Sequence, residues 1–291
     1  MIELKEKRII PLKFDLMFKK IFGNPKDLMP LRELIKCILE IEAKKITILN
    51  PEIIGSSYYN KGTIVDLIVE IEDGTKIGIE MNTNVNKYLI NRNLFYMFKI
   101  ISEDRKKGSL YNELSRYIQI NIDCEGKHSK PIMRYKLREE EIKEILTEKI
   151  EIIRVDLPYY VKKCYNEDAN NLDYKDKFIG MLGIEEREKL KEIIKGEKNM
   201  EDIMKNVEEF SEEEEILGAY DAEWHKQETE RLVRLGFMDE VAEKVRESEE
   251  KVRESEEKNL KIVKNMLKEN IDIATISKVT GLSIEKLNHL K

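Results

Sequence analysis

The stretch that decides the fold is KGTIVDLIVEIEDGTKIGIEMN, which runs from Lys61 to Asn82. Two runs rich in Val and Ile flank Glu72-Asp73-Gly74, a sequence typical of a tight turn between antiparallel strands. The first run nevertheless contains Asp66, and the second contains Glu80 close to its end. Because side chains alternate between the two faces of a strand, Asp66, Glu80 and Asn82 are expected on one face of the hairpin.

Two carboxylates that lie side by side on a sheet repel each other. A divalent cation between Asp66 and Glu80 would remove this repulsion, and oxygen ligands with room for waters and a phosphate suit Mg²⁺. The alternative is that acidic residues near strand ends are simply solvated. That alternative fits Glu70 and Glu72 better than Asp66, which apolar residues flank on both sides. The residues alone leave both interpretations open.

Helical patterns surround the hairpin. KFDLMFKKIF and PLRELIKCILEI, which precede it, repeat apolar residues with the helical period, and KKITIL predicts a first strand. NKYLINRNLFYMFKIISEDRKKG, which follows it, predicts a helix that ends at Gly108, and its apolar side is expected to contain Leu89, Leu94, Phe95, Phe98 and Ile101. RYIQINID predicts a fourth strand, parallel to the third because a helix connects the two. EKIEIIRVDL predicts an edge strand before Pro158.

Composition restricts the class of protein. The 291 residues are 38% charged with a net charge of −6, so the whole molecule is not a basic nucleic-acid-binding body, although a local basic surface is compatible with this charge. No apolar run approaches the ~20 residues of a membrane span. The start of the chain lacks a signal-peptide pattern, and three widely spaced cysteines do not form a disulfide framework. We therefore expect a cytoplasmic protein without membrane contact, and the lack of a Gly-rich phosphate loop predicts no nucleotide cofactor.

The C-terminal part is predicted to be helical. We divide the chain into residues 1–165, 166–236 and 237–291, the last containing a long helix and a helical hairpin. The heptad KVRESEEKVRESEE at Lys244–Glu257 places Val245 and Val252 at position a, with Ser248 and Ser255 at d. This pattern indicates either a weak coiled coil or a long solvated helix. Coiled-coil pairing would favour a homodimer or a higher homo-oligomer.

Four stretches carry a family resemblance: FDLMFKKIFG, IVDLIVEIEDGTKIGIEMN, NRNLFYMFKI and KGSLYNELSRYIQINI. They resemble the PD-(D/E)XK nuclease family transposases, also called recombination-promoting nucleases. The resemblance implies an α/β restriction-endonuclease-like core with a mixed sheet and the order αβββαβ, followed by a helical extension. It also implies metal-dependent endonuclease activity on DNA with Mg²⁺ or Mn²⁺, with Asp66 and Glu80 as the metal pair and Asp15 approaching the same site.

Position 82 departs from the family pattern. The resemblance places Lys, or Gln in this subfamily, two residues after the second acid, whereas this chain has Asn82. A neutral amide orients water by hydrogen bonding but supplies no positive charge. The predicted catalytic set is therefore Asp66, Glu80, Asn82 and Asp15. Two functions stay open: an active endonuclease, or a weak or inactive nuclease-fold protein that serves as a DNA- or protein-binding assembly module.

Several basic and aromatic residues are candidate DNA contacts. Arg92, Tyr96 and Lys99 share one helical face and match the family's Arg-Tyr helix positions, and Lys19 lies beside Asp15 in the first helix. The alternatives are core packing for Tyr96, an ion pair with a site carboxylate for Arg92 and a solvated position for Lys19. Cys124 and His128 have a spacing that zinc accepts, but two ligands without a second pair make a poor zinc site.

Overall fold

The computed structural model describes residues 9–49, 66–83, 86–103, 114–126, 128–269 and 271–289. It divides into two compact units, Met1–Asp221 and Ala222–Lys291. The first strand residues of the hairpin, at 63–65, and the predicted helix end at Gly108 lie outside the described residues.

The first unit contains a six-stranded mixed sheet in the order β1-β2-β3-β4-β6-β5. Strands β3 and β4 are parallel, as predicted from the helix that connects them, and β4 and β6 are also parallel, whereas the other neighbours are antiparallel. The strands are β1 Ile46–Ile48, β2 Leu67–Ile71, β3 Lys76–Asn82, β4 Tyr117–Asp123, β5 Ile132–Lys136 and β6 Ile150–Asp156.

The other regular elements of the described residues are helices. This mixture of one mixed sheet and many helices agrees with the predicted α/β class. The helices are α1 Asp15–Phe22, α2 Met29–Leu39, α3 Leu89–Glu103, α4 Leu157–Asn166, α5 Tyr174–Met181, α6 Arg187–Ile194, α7 Lys198–Phe210, α8 Glu214–Lys268, α9 Ile273–Thr280 and α10 Ile284–His289.

The hairpin of β2 and β3 has the register that the turn dictates. Gly74 has a φ of 80°, a left-handed conformation that favours glycine, and the Asp73 carboxylate accepts a hydrogen bond from the Thr75 N–H at 2.8 Å. Leu67 pairs with Ile79 and Ile68 with Gly78. One further residue along this register sets Asp66 opposite Glu80.

One face of the sheet is apolar. Alternate residues of β3 and β4 join a single large core with helices α1, α2, α4 to α7 and the start of α8; among these strand residues are Ile77, Ile79, Ile118 and Ile120. The amphipathic patterns of α1 and α2 are confirmed, because all of the following are buried: Met17, Phe18, Ile21, Phe22, Leu31, Leu34, Ile35, Ile38 and Leu39. This face supplies most of the buried apolar surface of the unit, and burial of apolar surface is the dominant stabilising term of folding.

The opposite face, which α3 covers, is polar toward one end. Its apolar contacts are few and centre on Met97, Ile100 and Tyr117. Side chains that are polar yet buried point from β3 and β4 to this face: Glu80, Asn82, Gln119, Asn121 and Asp123. Gly78 leaves room for the hydrogen bond from Tyr117 to Gln119, since a Cβ at that position would lie 2.1 Å from the Tyr117 Oη.

Two sequence predictions on these elements are wrong. EKIEIIRVDL forms β6, which lies between β4 and β5 and not at the edge; the edge is β5, whose short, charge-containing sequence IMRYK gives a weak strand signal. Phe95 and Phe98 are exposed, because the residues of α3 that face the sheet are Leu89, Asn93, Met97 and Ile100. Because this face of the sheet is polar, Asn93 packs against it in place of an apolar side chain.

The second unit contains a small helical core of its own. Val263 of α8, Ile276 of α9 and Leu287 of α10 are buried together. Asp272 caps α9 through hydrogen bonds from the backbone N–H groups of Ala274 and Thr275. Two short helices therefore stand where the sequence predicts a hairpin. The heptad residue Val245 is exposed in the single chain, the Val252 side chain lies outside the description, and coiled-coil pairing stays a prediction.

Across the residues that the structure describes, no helix combines the length and the apolar character that crossing a bilayer requires.

Candidate metal centre

Asp66 and Glu80 lie together at the polar end of the sheet. The Asp66 N–H donates a hydrogen bond of 3.2 Å to the Glu80 Oε2, and the Met81 N–H donates one of 2.7 Å to the Asp66 Oδ2. Each carboxylate therefore accepts a backbone hydrogen bond from the other strand of the hairpin. The hairpin register holds the two acids as a pair, as the alternation of side chains predicts.

Both carboxyl groups lose their protons less readily than ordinary carboxyls do. Burial raises the pKa of Glu80 to about 7. The pKa of Asp66 is raised well above its usual range, first by burial and then by the negative charges of Glu80 and Asp15. Desolvation and like charge both disfavour ionisation, so a nearby positive charge is required to keep the pair ionised.

Lys19 supplies one such charge from α1. Its Nζ lies 3.4 Å from the Asp66 Oδ1 and donates a hydrogen bond of 3.1 Å to the Asp15 Oδ2. Asp15, one helical turn before Lys19, is half exposed, and its charge acts on both Asp66 and Glu80. The structure thus brings Asp15 near the carboxylate pair through an ion pair with Lys19, the position that the family resemblance implies.

Arg92 supplies the second charge from α3. Its Nη2 donates to the Asn82 Oδ1 at 3.0 Å and approaches the Glu80 Oε1 at 3.5 Å. Asn82 is only 1% exposed, and its Nδ2 donates to the Asp123 Oδ1 at 2.8 Å. The amide at position 82 is therefore engaged on both sides, between a cation of α3 and a buried carboxylate of β4.

Asp123 continues this network away from the carboxylate pair. Its Oδ2 accepts hydrogen bonds from the Nε and Nη2 of Arg154 at 2.9 and 2.6 Å and lies 3.0 Å from the His128 Nε2. Asn121, opposite Glu80 on β4, accepts a hydrogen bond from the Asn93 amide at 2.8 Å. The polar face is thus a connected set of hydrogen bonds in which charged groups are paired, as buried charges require.

The donor set at Asp66 and Glu80 fits a hard divalent cation. Mg²⁺ is commonly held by one or two carboxylates together with waters and phosphate oxygens, and two desolvated acids provide that partial set. No cluster of three or more His, Cys, Asp or Glu residues suited to a metal occurs in the described ranges, which include Cys124 and His128. Two carboxylates would leave the other coordination positions of such an ion to water and substrate.

The other predicted DNA contacts lie on α3. Tyr96 is half-buried, and its ring centroid is 5.9 Å from that of Phe95. Lys99 is exposed, two turns after Arg92. The structure thus places Arg92 and Lys19 at the carboxylates, and Tyr96 and Lys99 farther along the helix.

Four residues of the polar network were missed in the sequence: Asn93, Asn121, Asp123 and Arg154. Their signal lies in register, because Asn82 pairs with Asp123 and Asn121 pairs with Arg154 across the parallel strands. The local hint is that polar residues alternate with apolar ones in the strand sequence RYIQINID and that IEIIRVD contains an arginine.

Comparison with known proteins relates the chain to a nuclease family. A family model described as PD-(D/E)XK nuclease family transposase matches residues 12–235. The match includes the whole sheet, the carboxylate pair and both of its cations, and it confirms the resemblance seen in the sequence. Searches of curated proteins and of solved structures returned no match.

Proposed function

The chain belongs to the PD-(D/E)XK nuclease family transposases, and we propose that it is a metal-dependent endonuclease that hydrolyses phosphodiester bonds in DNA. The observation that carries this proposal is the pair Asp66 and Glu80, two desolvated carboxyls with raised pKa values held side by side by the hairpin. Two buried carboxyls side by side destabilise the fold, and a binding site for a cation and a phosphate explains why the chain retains them.

Asp66 and Glu80 would hold Mg²⁺, or Mn²⁺ in its place, through their carboxylate oxygens. The ion, when bound, polarises a phosphoryl oxygen and lowers the pKa of the attacking water. Because the pKa of Glu80 is raised to about 7 and that of Asp66 is raised as well, cation binding is expected to strengthen as the pH rises.

The chain's own cations supply the charge that Asn82 lacks. Lys19 and Arg92 flank the carboxylates from two different helices, so both are placed to face the negative charge of a bound phosphate. Arginine suits this task because its planar fork binds phosphate oxygens in pairs. We assign Asn82 to holding Arg92 in position and Asp15 to holding Lys19.

DNA is the proposed substrate, and Tyr96 and Lys99 extend the proposed contact surface along α3. The heptad repeat at Lys244–Glu257 supports a homodimer or a larger homo-oligomer, which would suit cutting both strands. A mass measurement in solution tests this stoichiometry.

The direct test is cleavage of supercoiled plasmid DNA in Mg²⁺ or Mn²⁺, with EDTA as the metal-free condition. Asp66→Ala protein is expected to lose cleavage, because one of the two metal ligands is gone. Glu70→Gln serves as the control, since Glu70 lies on β2, which directly follows Asp66, and is away from the pair. Equal cleavage by wild-type and Asp66→Ala protein rejects the assignment.

A second candidate function follows from position 82. Asn82 carries no charge, is buried and is engaged by Arg92 and Asp123, which favours a weak or inactive nuclease fold that binds DNA or protein as an assembly module. Stable DNA complexes without any metal-dependent cleavage would support this alternative over the first.

A further inference from the structure

One side of α3 faces away from the sheet and carries large aromatic side chains. Phe95 is 65% exposed and Phe98 is 55% exposed, although both were predicted to be buried. Tyr88, directly before the helix, is exposed, and the Arg92 N–H donates to its carbonyl oxygen in the helical pattern. We define the outer stripe of α3 as Tyr88, Arg92, Phe95, Phe98 and Lys99, which the helical period places on one face.

The stripe combines aromatic rings with positive charge. The sequence contains no Asp or Glu from Asn86 to Ser102, in a chain whose net charge is −6. The Nζ of Lys87 lies over the Tyr88 ring, 4.9 Å from its centroid. Surfaces that bind single-stranded nucleic acid have this composition: bases stack on aromatic rings while cations follow the phosphates. Lysine, in contrast, is depleted at the cores of stable protein interfaces.

The stripe is continuous with the carboxylate pair. Arg92, a member of the stripe, donates to the Asn82 Oδ1 at 3.0 Å and approaches the Glu80 Oε1 at 3.5 Å. Phe95 follows Arg92 by one helical turn, and Phe98 follows Phe95 by another. A strand that lay along the stripe would therefore bring a phosphate to Arg92, at the edge of the pair.

We propose that the outer stripe of α3 binds a single-stranded segment of the substrate by stacking its unpaired bases on Phe95, Phe98 and Tyr88. This inference rests on the proposed function and narrows its substrate class to DNA with a single-stranded segment, such as an end, a gap or an unwound site. In an intact duplex the bases stack on one another, so their faces do not meet the aromatic rings.

The test measures binding by fluorescence anisotropy, with the full chain in EDTA so that no cleavage occurs. The probes are a fluorescein-labelled oligothymidylate and a duplex of the same length. Phe95→Leu and Phe98→Leu keep apolar volume but remove the ring, so each is expected to weaken single-strand binding about tenfold and duplex binding by less than about twofold. Phe95→Trp keeps a ring and is expected to bind the single strand at least as well as wild type.

Ile142→Ala and Leu146→Ala are the matched controls, because both residues are exposed apolar side chains on another part of the same unit. Both control variants are expected to bind the two probes like wild type. Unchanged single-strand affinity in the Phe95→Leu, Phe98→Leu double variant overturns the inference, and so does an equal loss on both probes. A dimer in wild type that becomes a monomer in the double variant also overturns it, since a second copy then covers the stripe.

Plasmid cleavage in Mg²⁺, measured in parallel, separates this inference from the proposed function. If wild type cuts plasmid but Phe95→Leu and Phe98→Leu bind the oligothymidylate like wild type, only the stacking role is rejected. If wild type neither binds the probes nor cuts plasmid, both proposals are rejected.

Discussion

The two faces of the sheet are formed by the same strands but differ in the kind of side chain that they bury. On one face, Ile79 and Ile120 join a continuous apolar core with α1, α2, α4 to α7 and the start of α8. On the other, the neighbouring residues Glu80 and Asn121 are buried under one helix in a polar network. Buried apolar contacts stabilise the fold wherever they occur, whereas buried carboxyls reduce its stability unless they are paired. The difference suggests that the apolar face maintains the structure and the polar face is shaped for a ligand.

The largest effect on activity is expected from a substitution on the polar face. Glu80→Gln removes a metal ligand but keeps the shape, so cleavage is expected to fall about a thousandfold, the equivalent of several kcal/mol. The same change removes a charge that burial disfavours, so the melting temperature at neutral pH in EDTA is expected to rise or stay unchanged. Plasmid cleavage and thermal unfolding check the two directions, and a variant that loses stability and activity together would break the comparison.

Truncation on the apolar face is expected to act in the opposite way. Ile120→Ala removes a fully buried side chain from the centre of the core and is expected to lower the free energy of unfolding by about 2–5 kcal/mol. Ile120→Val, the milder control, is expected to cost about 0.5–1.5 kcal/mol. Denaturant unfolding gives both values. The folded fraction of each variant should still cleave, and a specific loss of cleavage by folded protein would show that this face also shapes the site.

A smaller effect is expected where Arg92 joins α3 to the carboxylates. Arg92→Lys keeps the charge but loses the planar group that contacts both Glu80 and Asn82, so cleavage is expected to fall about 10–100-fold. Arg116→Lys is the control, because Arg116 pairs with Glu151 away from the site. The measurement is the rate of plasmid cleavage by the two variants. Similar rates would show that Arg92 has no role in the proposed mechanism.

The smallest effect is a pH dependence of stability. The pKa of Glu80 is raised from 4.5 to about 7, so between these values the folded chain binds more protons at this group than the unfolded chain does. Stability from this group is therefore fully present below pH 4.5 and is lost as the pH rises through 7. In EDTA the melting temperature of wild type relative to Glu80→Gln is expected to fall by about a few degrees over this interval.

Added Mg²⁺ is expected to reverse this fall at the upper end of the pH interval, because the cation binds the ionised pair. A wild-type curve parallel to that of Glu80→Gln throughout the interval would contradict the buried-carboxyl account.

The sequence was sufficient for the hairpin and the acid pair, because a two-residue alternation and a Gly-containing turn specify which side chains share a face. It was insufficient for α3, because the prediction that apolar residues face the core assumes an apolar partner. Here the partner is a polar sheet face, so Asn93 is buried and Phe95 is left outside. Asp123 and Arg154 could not be assigned, since their proximity depends on the register between strands distant in the chain.

The central claim is that Asp66 and Glu80 form a divalent-cation site, and the most direct measurement is calorimetric titration with Mn²⁺ at a pH above 7, where the Glu80 carboxyl is ionised. Wild type and Glu70→Gln are expected to bind Mn²⁺ with the same affinity, and Glu80→Gln is expected to bind it at least about tenfold more weakly. Equal Mn²⁺ affinity in wild type and Glu80→Gln would contradict the account.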